Sequence, residues 1–435
     1  MRTVVVVGLI LALICVCGAS VFAVAQGFQL VEDSGVRIRL FENRTVSAEG
    51  LEEKTLQTSG PVALEVTNDF GFVNVSAVDG SQVRIKAEKT AWGGNQEDAE
   101  AALAELKVIV EQKGDKISIR VEQPAEMQAL SIGPGSGSVD FTIEVPFETE
   151  VKLTAVSGDA SLEGTRAAAE LMTSFGSLTV KNVSGEISAV STSGGIEAKN
   201  LDAGEGKINL DSSFGEIDAR ALKGGEITIN AQSGQVTLQD IQSEGNVSLR
   251  SEFGAIQLTG GQTGPLEVNS NNGSVTLEGL RVRGEVKVTS QFGDVTLNNV
   301  DGESYSVESQ NGKIYIDGAS GKVTVDSQFG EIEVLNAENV SATFNAVNGG
   351  ITFSGSLGDG PHVFDSEYGS ISLTLPEDTA VDIDLQTEFG SISSEFEMTI
   401  KGQIEEKHWQ GKINGGGAEL TVSTNNGNIE LTISQ

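Results

Sequence analysis

The sequence predicts an all-β protein: a single-stranded parallel β-helix, or β-solenoid, with coils of about 20 residues. Three observations predict it. An aromatic residue followed by glycine recurs at nearly constant intervals, turns with a small polar residue before the glycine lie midway between, and apolar residues alternate with polar ones around every turn. Self-similarity at this period is typical of stacked repeats, in which one unit cannot bury its own apolar face.

The turns fall into two alternating sets. The aromatic turns are Phe175-Gly176, Phe214-Gly215, Phe253-Gly254, Phe292-Gly293, Phe329-Gly330, Tyr368-Gly369 and Phe389-Gly390, with an early copy at Phe70-Gly71. The turns between them are Ser193-Gly194, Ser233-Gly234, Asn272-Gly273, Asn311-Gly312 and Asn348-Gly349. The longer spacing between aromatic turns indicates duplication of a two-turn unit.

The residues around each turn read as two short strands. Around Gly254, for example, Val247 and Leu249 precede and Ile256 and Leu258 follow, with polar residues between them. Strict alternation places the apolar side chains on one face of a strand. Because equivalent positions carry the same residue class in every step, we expect like strands to stack in parallel. The expected stack has about 14 coils, from Gly158 to Gly427.

The residues at each corner of a coil also repeat by type. Three residues before each glycine stands a small side chain, such as Ser251 or Ser290, which suits the corner of a narrow coil. The glycine would allow a positive φ there. The aromatic residue has two interpretations. We favour packing over the small residue of the neighbouring coil, since large and small residues alternate; the alternative is an exposed aromatic stripe with a spacing of about 10 Å, suited to sugars or peptides.

Residues 1–25 read as a signal peptide or an N-terminal membrane anchor. The run from Val4 to Ala25 is apolar and uncharged, and Ala23-Val24-Ala25 offers a small-x-small cleavage pattern. The run is also long enough to span a membrane, so we expect membrane contact only through residues 4–25, if they stay uncleaved. Both cysteines lie inside it, so the mature chain can form no disulfide and no thiolate metal site.

The remainder divides into an N-terminal segment, 26–137, and a solenoid repeat domain, 138–435. The segment holds the early repeat, a helix from Asn95 to Leu106 with Asn95 as N-cap, a hairpin from Lys107 to Val121, and a loop over 123–137. We expect helix and hairpin to close the first open strand edge. At the far end, an excursion that contains His408-Trp409 precedes what reads as the final coil.

These features together resemble the bacterial "putative adhesin" domain family of exported envelope proteins. Val139 to Pro146 is similar to the family's first strand, which ends in Val-Pro, and Val156 to Asp159 is similar to its first Ser-Gly-Asp turn. Leu375 to Thr379 and Asn426 to Ile429 resemble its late Leu-Pro-x-x-Thr stretch and closing turn. The resemblance covers roughly 60–435. It implies a β-solenoid at the cell envelope with adhesion or envelope-stress roles, and it supplies no catalytic residues or cofactor.

The sequence offers little for catalysis, and we expect no enzymatic activity. The mature chain has two histidines; His362 falls at an inward repeat position, and His408 stands beside Trp409, where the pair could contact a partner. The outward pairs Asp382/Asp384 and Glu331/Glu333 could hold Ca²⁺, but they also resemble an ordinary solvated face. No nucleophile-elbow or phosphate-cradling motif stands out, and no cofactor is expected.

The net charge of the chain restricts the classes of partner that it can bind. The formal net charge is −34, which repels nucleic acid and anionic membrane and attracts cationic peptides and divalent cations. We therefore expect a non-enzymatic, exported protein of the cell surface, periplasm or extracellular space, which acts as an adhesin-like or scaffold solenoid. Two alternatives stay open: an envelope-stress or cationic-peptide capture module, and a carbohydrate-active β-helix enzyme.

Overall fold

The computed structural model describes residues 46–122, 137–401 and 406–434. Its parallel coils form a β-solenoid of about 11 turns, spaced about 20 residues apart, so the predicted fold class is confirmed. The predicted signal peptide or anchor at 1–25 lies outside the described residues, as does the predicted loop at 123–137 except for its last residue.

Each coil contributes one strand to each of two parallel ladders. In spatial order, the first ladder consists of β6 (Lys116–Glu122), β2 (Val62–Phe70), β8 (Thr149–Ser157), β10 (Ala169–Phe175), β12 (Ile187–Ser193), β14 (Lys207–Ser212), β16 (Glu226–Ala231), β18 (Val247–Ser251), β20 (Leu266–Asn272), β21 (Val275–Phe292), β22 (Val295–Asn311), β24 (Ser320–Phe329), β25 (Ile332–Asn348), β27 (His362–Ser366), β33 (Ala418–Asn426) and β29 (Val381–Phe389).

The second ladder runs beside the first, and the long strands β21, β22 and β25 pass from one ladder into the other. Its remaining strands are β7 (Gly137–Pro146), β3 (Val73–Val78), β9 (Ala160–Glu163), β11 (Leu178–Lys181), β13 (Ile196–Asp202), β15 (Ile217–Gly224), β17 (Val236–Ser243), β19 (Ile256–Thr263), β23 (Ile314–Asp317), β26 (Ile351–Leu357), β28 (Ile371–Leu375), β34 (Ile429–Ile433) and β30 (Ile392–Ser394).

The core consists of aliphatic columns that run through the coils. Ile217, Val236, Ile256 and Val275 stand in direct register in four successive coils, and each is at most 1% exposed. The next residue of each coil, such as Gln257, points outward. The predicted alternation of inward apolar and outward polar residues is therefore confirmed.

A second bend in each coil uses the left-handed conformation. Six residues after the corner glycine, φ lies between about +50° and +84° in most coils. The residues there are Gly164, Asn182, Asn200, Ala221, Asp240, Gly260, Gly279, Asn299, Gly318 and Asn336. Glycine, asparagine and aspartate tolerate this region best. The residue after the bend points inward again, as do Leu222 and Ile241, so a further apolar column runs through the coils next to this bend.

The N-terminal end carries further strands and a helix. The early repeat, β2–β3, stacks on β8–β9, and β6 and β7 continue the two ladders beyond it. Beyond these, β5 (Lys107–Lys113), β4 (Gln82–Gly93) and β1 (Val46–Gln57) add antiparallel pairs. Helix α1 (Gln96–Glu105) lies on β4 and β1, and the Asn95 side chain caps it by accepting the Asp98 N–H at 2.9 Å.

The C-terminal end departs from the prediction. The coil β33–β34, which the sequence marked as final, is inserted between β27–β28 and β29–β30. The outermost coil is thus β29–β30, and the excursion forms two further strands, β31 (Met398–Ile400) and β32 (His408–Ile413), with β32 antiparallel to β29. Coils follow one another in sequence as far as Gly369, which gives the regular path about 11 turns. The inserted coil and the outermost coil extend the stack beyond it.

Candidate functional site

One corner of the solenoid is a continuous column of glycines, here called the glycine column. In spatial order it consists of Gly71, Gly158, Gly176, Gly194, Gly215, Gly234, Gly254, Gly273, Gly293, Gly312, Gly330, Gly349, Gly369, Gly427 and Gly390. From Gly158 onward, a Cβ on each would fall well inside 3.0 Å of the carbonyl oxygen of the glycine before it.

Close approach of stacked backbones is therefore the main reason for glycine at this corner. The positive φ that glycine would allow occurs in only three members of the column, Gly71, Gly158 and Gly293. Left-handed residues gather instead at the second bend. The two corners of a coil thus differ: the first needs the absence of a Cβ, and the second needs an unusual φ.

The small residues three positions before the glycines have a polar role as well as a steric one. The Ser290 hydroxyl donates to the Gly293 carbonyl at 3.1 Å, and the Ser327 hydroxyl donates to the Gly330 carbonyl at 3.0 Å. These hydroxyls are buried, and they satisfy carbonyls at the corner. Ser309, in the coil next to Ser290, has no such partner. The sequence indicated that these side chains are small and point inward, but it did not indicate this hydrogen bond.

The residue before each corner glycine points to solvent. In every second coil it is aromatic, and we call this set the aromatic ridge: Phe175, Phe214, Phe253, Phe292, Phe329, Tyr368 and Phe389. Their exposed fractions lie between 54% for Phe292 and 70% for Phe389. The favoured prediction that these rings pack over the neighbouring corner was wrong. The inward space is already filled by the hydroxyl residues, so the aromatic side chains are directed outward.

Small polar residues separate the members of the ridge. Phe292 lies in register with Asn272 on one side and Asn311 on the other, and the Asn311 amide donates to the main chain of the coil that carries Phe292. The alternation holds even where chain order fails: Asn426, in the inserted coil, lies between the coils of Tyr368 and Phe389. Aromatic residues are therefore two strand spacings apart, about 9.6 Å, along the whole ridge.

Carboxylates follow the same two-coil period. An acid lies within two residues of every ridge member except Phe175: Glu216, Glu252, Asp294, Glu331, Glu367 and Glu388. The intervening turns from Gly194 onward carry no acid at these positions. Among the described residues, Glu216, Asp294, Glu331, Glu367 and Glu388 lie within 4.0 Å of no basic side chain, whereas many other acids pair with a lysine of the adjacent coil.

The predicted contact pair His408 and Trp409 lies at the end of the solenoid. His408 Nε2 is 2.7 Å from Asp384 Oδ1, and Gln410 Nε2 donates to the other oxygen of that carboxylate at 3.0 Å. Trp409 lies opposite Leu385 and packs, partly buried, against the core. The pair therefore helps to cover the last coil, which is the cap that the sequence did not reveal.

His362 is a buried structural residue. Its Nδ1 accepts the Ala342 N–H at 3.3 Å, and its Nε2 lies 3.1 Å from the Gly358 carbonyl oxygen. Burial lowers the pKa of this imidazole below its ordinary value, because the charged form loses its hydration, and the Gly358 contact opposes the shift only in part. The ring is thus a neutral hydrogen-bonding group of the core.

The acidic pairs considered for Ca²⁺ do not converge. Asp382 lies 3.4 Å from Lys412, Asp384 bonds His408, and Glu333 pairs with Lys313. Among the described residues, no three His, Cys, Asp or Glu side chains gather where a metal could bind. Two shallow depressions, one beside β1 and β5 and one between Ser356 and Ala418, contain no histidine or cysteine.

The described part of the chain contains no helix with the length and apolarity needed to cross a membrane. A family model described as Toastrack DUF4097 matches residues 100–233, 205–291 and 266–432, which together span well over half of the sequence. No curated protein matches the chain.

Similar solved structures are distant. A "putative cell adhesion protein" from Clostridium sporogenes is 9% identical, with 89% of this chain and 100% of that one covered and a TM-score of 0.18. A "putative adhesin" from Bacteroides fragilis is 10% identical (88% and 97% covered, TM-score 0.25), and one from Parabacteroides distasonis is 11% identical (66% and 92% covered, TM-score 0.23). At these TM-scores the likeness supports no inference about this chain.

Proposed function

The chain belongs to the Toastrack DUF4097 family, and from this premise we propose that it is a non-enzymatic, exported protein of the cell envelope that binds partners along its repeated faces. It acts as an adhesin-like scaffold. Its partner contacts are numerous and individually weak, and they are spread along a regular coil stack rather than concentrated in one pocket.

The observation that supports this proposal is the aromatic ridge. Large aromatic side chains bury 150–250 Å² each when they are covered, and seven of them here are more than half exposed in a single row. Exposed aromatic rings repeated in one row offer a partner apolar surface at regular intervals, which favours a binding role. Because the rings recur at one spacing, a repetitive partner can engage several at once, and affinity then rises through avidity.

Export rests on the N-terminal residues. The uncharged run from Val4 to Ala25 would direct the chain across a membrane, and the small residues before Gln26 would permit cleavage. Cell fractionation and N-terminal sequencing of the purified protein test this step. We expect the protein outside the cytoplasm, starting at Gln26 if the leader is removed; a cytoplasmic pool with Met1 retained would contradict it.

Adsorption to envelope fractions tests the binding role. The purified protein is sedimented with cell-wall and membrane fractions, alongside a triple variant, Phe214→Ser, Phe253→Ser and Phe292→Ser. Serine already occupies this position in two of the intervening coils, at Ser193 and Ser233, so the fold tolerates it. We expect at least tenfold weaker adsorption of the triple variant. The control Tyr315→Ser removes an aromatic from a flat face and should adsorb normally. Equal adsorption of all three proteins would refute the role of the ridge.

A further inference from the structure

The aromatic ridge carries a charge pattern that points to one class of partner. At the coil corners, acidic residues, most of them exposed, occur within two residues of six of the seven rings, and none occurs at the equivalent positions of the intervening coils from Gly194 onward. Glu216, Asp294 and Glu331 accompany Phe214, Phe292 and Phe329, and no basic side chain of the described residues comes within 4.0 Å of these three acids. A ring face and a carboxylate both attract a guanidinium or ammonium group.

The spacing restricts the conformation of that partner. Successive rings are about 9.6 Å apart, which is twice the strand spacing. A polyproline II helix rises about 3.1 Å per residue with three residues per turn, so every third side chain lies on one face about 9.3 Å apart. A β-strand places same-face side chains about 6.7 Å apart and does not match. A solvated, extended helix with a threefold repeat fits the ridge.

From these two observations we infer that the ridge binds cationic polypeptides in the polyproline II conformation, with an arginine or lysine at every third residue. Each basic side chain lies over one aromatic ring and bonds the adjacent carboxylate, while the small serine or asparagine of the intervening coil leaves room for the residues between. The inference rests on the proposed function, because it names the class of partner for the same surface.

A labelled peptide of seven Arg-Pro-Pro repeats tests the inference, with binding to the purified full-length protein followed by fluorescence anisotropy. A peptide with seven Arg-Pro-Pro-Pro repeats has the same charge and the wrong spacing. We expect the first to bind at least tenfold more tightly at 150 mM salt. Equal affinities would overturn the inference, because attraction to the overall negative charge does not distinguish the spacings.

Two matched triple variants locate the site. Glu216→Gln, Asp294→Asn and Glu331→Gln remove three charges from the ridge, and the amide oxygen introduced by Asp294→Asn can still accept the Lys313 N–H that Asp294 accepts at 2.8 Å. The control removes three exposed acids elsewhere: Glu278→Gln, Glu303→Gln and Glu338→Gln. We expect at least tenfold weaker peptide binding for the first and less than threefold for the second. Equal losses would overturn the inference.

The phenylalanine triple variant separates this inference from the proposed function. If it loses envelope adsorption while the peptide fails to distinguish the ridge-acid variant from its control, the inference fails and the proposed function stands. If it loses peptide binding but keeps envelope adsorption, the inference stands and the role of the ridge in adhesion fails. Binding of a neutral polysaccharide that needs the rings but not the carboxylates also overturns the inference.

Discussion

Gly427 packs directly against Gly369, although 58 residues of chain separate them. A Cβ on Gly427 would overlap the Gly369 carbonyl oxygen, and a Cβ on Gly390 would in turn overlap that of Gly427. The corner column thus continues in space where the chain order is reversed. Matching corner geometry therefore holds the coils together even where successive coils are distant in sequence.

We predict that Gly254→Ala destabilises the solenoid by at least about 2 kcal/mol, because the new Cβ would strike the Gly234 carbonyl and force two coils apart. Thermal unfolding followed by circular dichroism measures the effect. Gly50→Ala is the control, since a Cβ there meets only side-chain atoms at 3.5 Å. Similar melting temperatures for the two variants would show that the coils can separate at no cost.

Ala221→Gly should stabilise the protein by about 0.5–1 kcal/mol. Ala221 has φ of 55° at the second bend, where other coils use Asn, Asp or Gly, and an L-residue with a Cβ costs roughly 1–2 kcal/mol in this conformation. The control Ala219→Gly, at a fully buried inward position of the same strand, should destabilise by about 1 kcal/mol. Denaturant unfolding of both variants tests the pair, and a loss of stability in both would contradict the strain at Ala221.

Equivalent serines in adjacent coils should respond differently to alanine. Ser290→Ala removes the bond to the Gly293 carbonyl and should cost about 1 kcal/mol. Ser309→Ala removes a buried hydroxyl that has no partner, so it should be neutral or slightly stabilising. Chemical denaturation of the two variants compares one position in two environments. Equal losses would mean that the hydroxyls act only by their size.

Stability should fall as the pH drops below about 6.5, in part because of His362. Burial lowers the pKa of its imidazole in the folded state, whereas an unfolded histidine titrates near 6.5. Below pH 6.5 the unfolded state therefore binds a proton that the folded state does not bind. The contribution of His362 to the free energy of unfolding is complete above pH 6.5 and is lost as the pH falls toward the folded pKa. The variant His362→Leu lacks this contribution, although it leaves the Ala342 N–H without an acceptor.

Unfolding free energies of both proteins between pH 7.5 and 5 measure the effect. The stability advantage of the wild type over His362→Leu should shrink by up to about 1.4 kcal/mol per pH unit below 6.5 until the folded pKa is reached. Carboxylates titrate in both proteins and cancel in the difference. A difference that stays constant across this range would refute a lowered pKa at His362.

Much of the fold follows from local patterns. Alternation around Gly254 indicated which side chains point inward, and Asn95 was identifiable as a helix cap from residue type and position alone. The acids near the ridge recur once in every two coils of the sequence. This pattern can be distinguished from the general excess of negative charge only when the coils are aligned with one another. The sequence near Phe292 does not indicate whether its ring is buried, because the burial of this ring depends on contacts with the neighbouring coil.

The sequence by itself determined the parallel ladders, the glycine corners and the inward and outward faces. Each of these follows from strand parity and residue size within about 20 residues. Only the tertiary structure decided that the aromatic ridge faces solvent and that the coil of Gly427 lies inside that of Gly390. Contacts between coils that are distant in sequence determine which corner side chains are buried and which strands pair. Alternative strand pairings differ in free energy because their side chains pack differently, and no local sequence pattern encodes that difference.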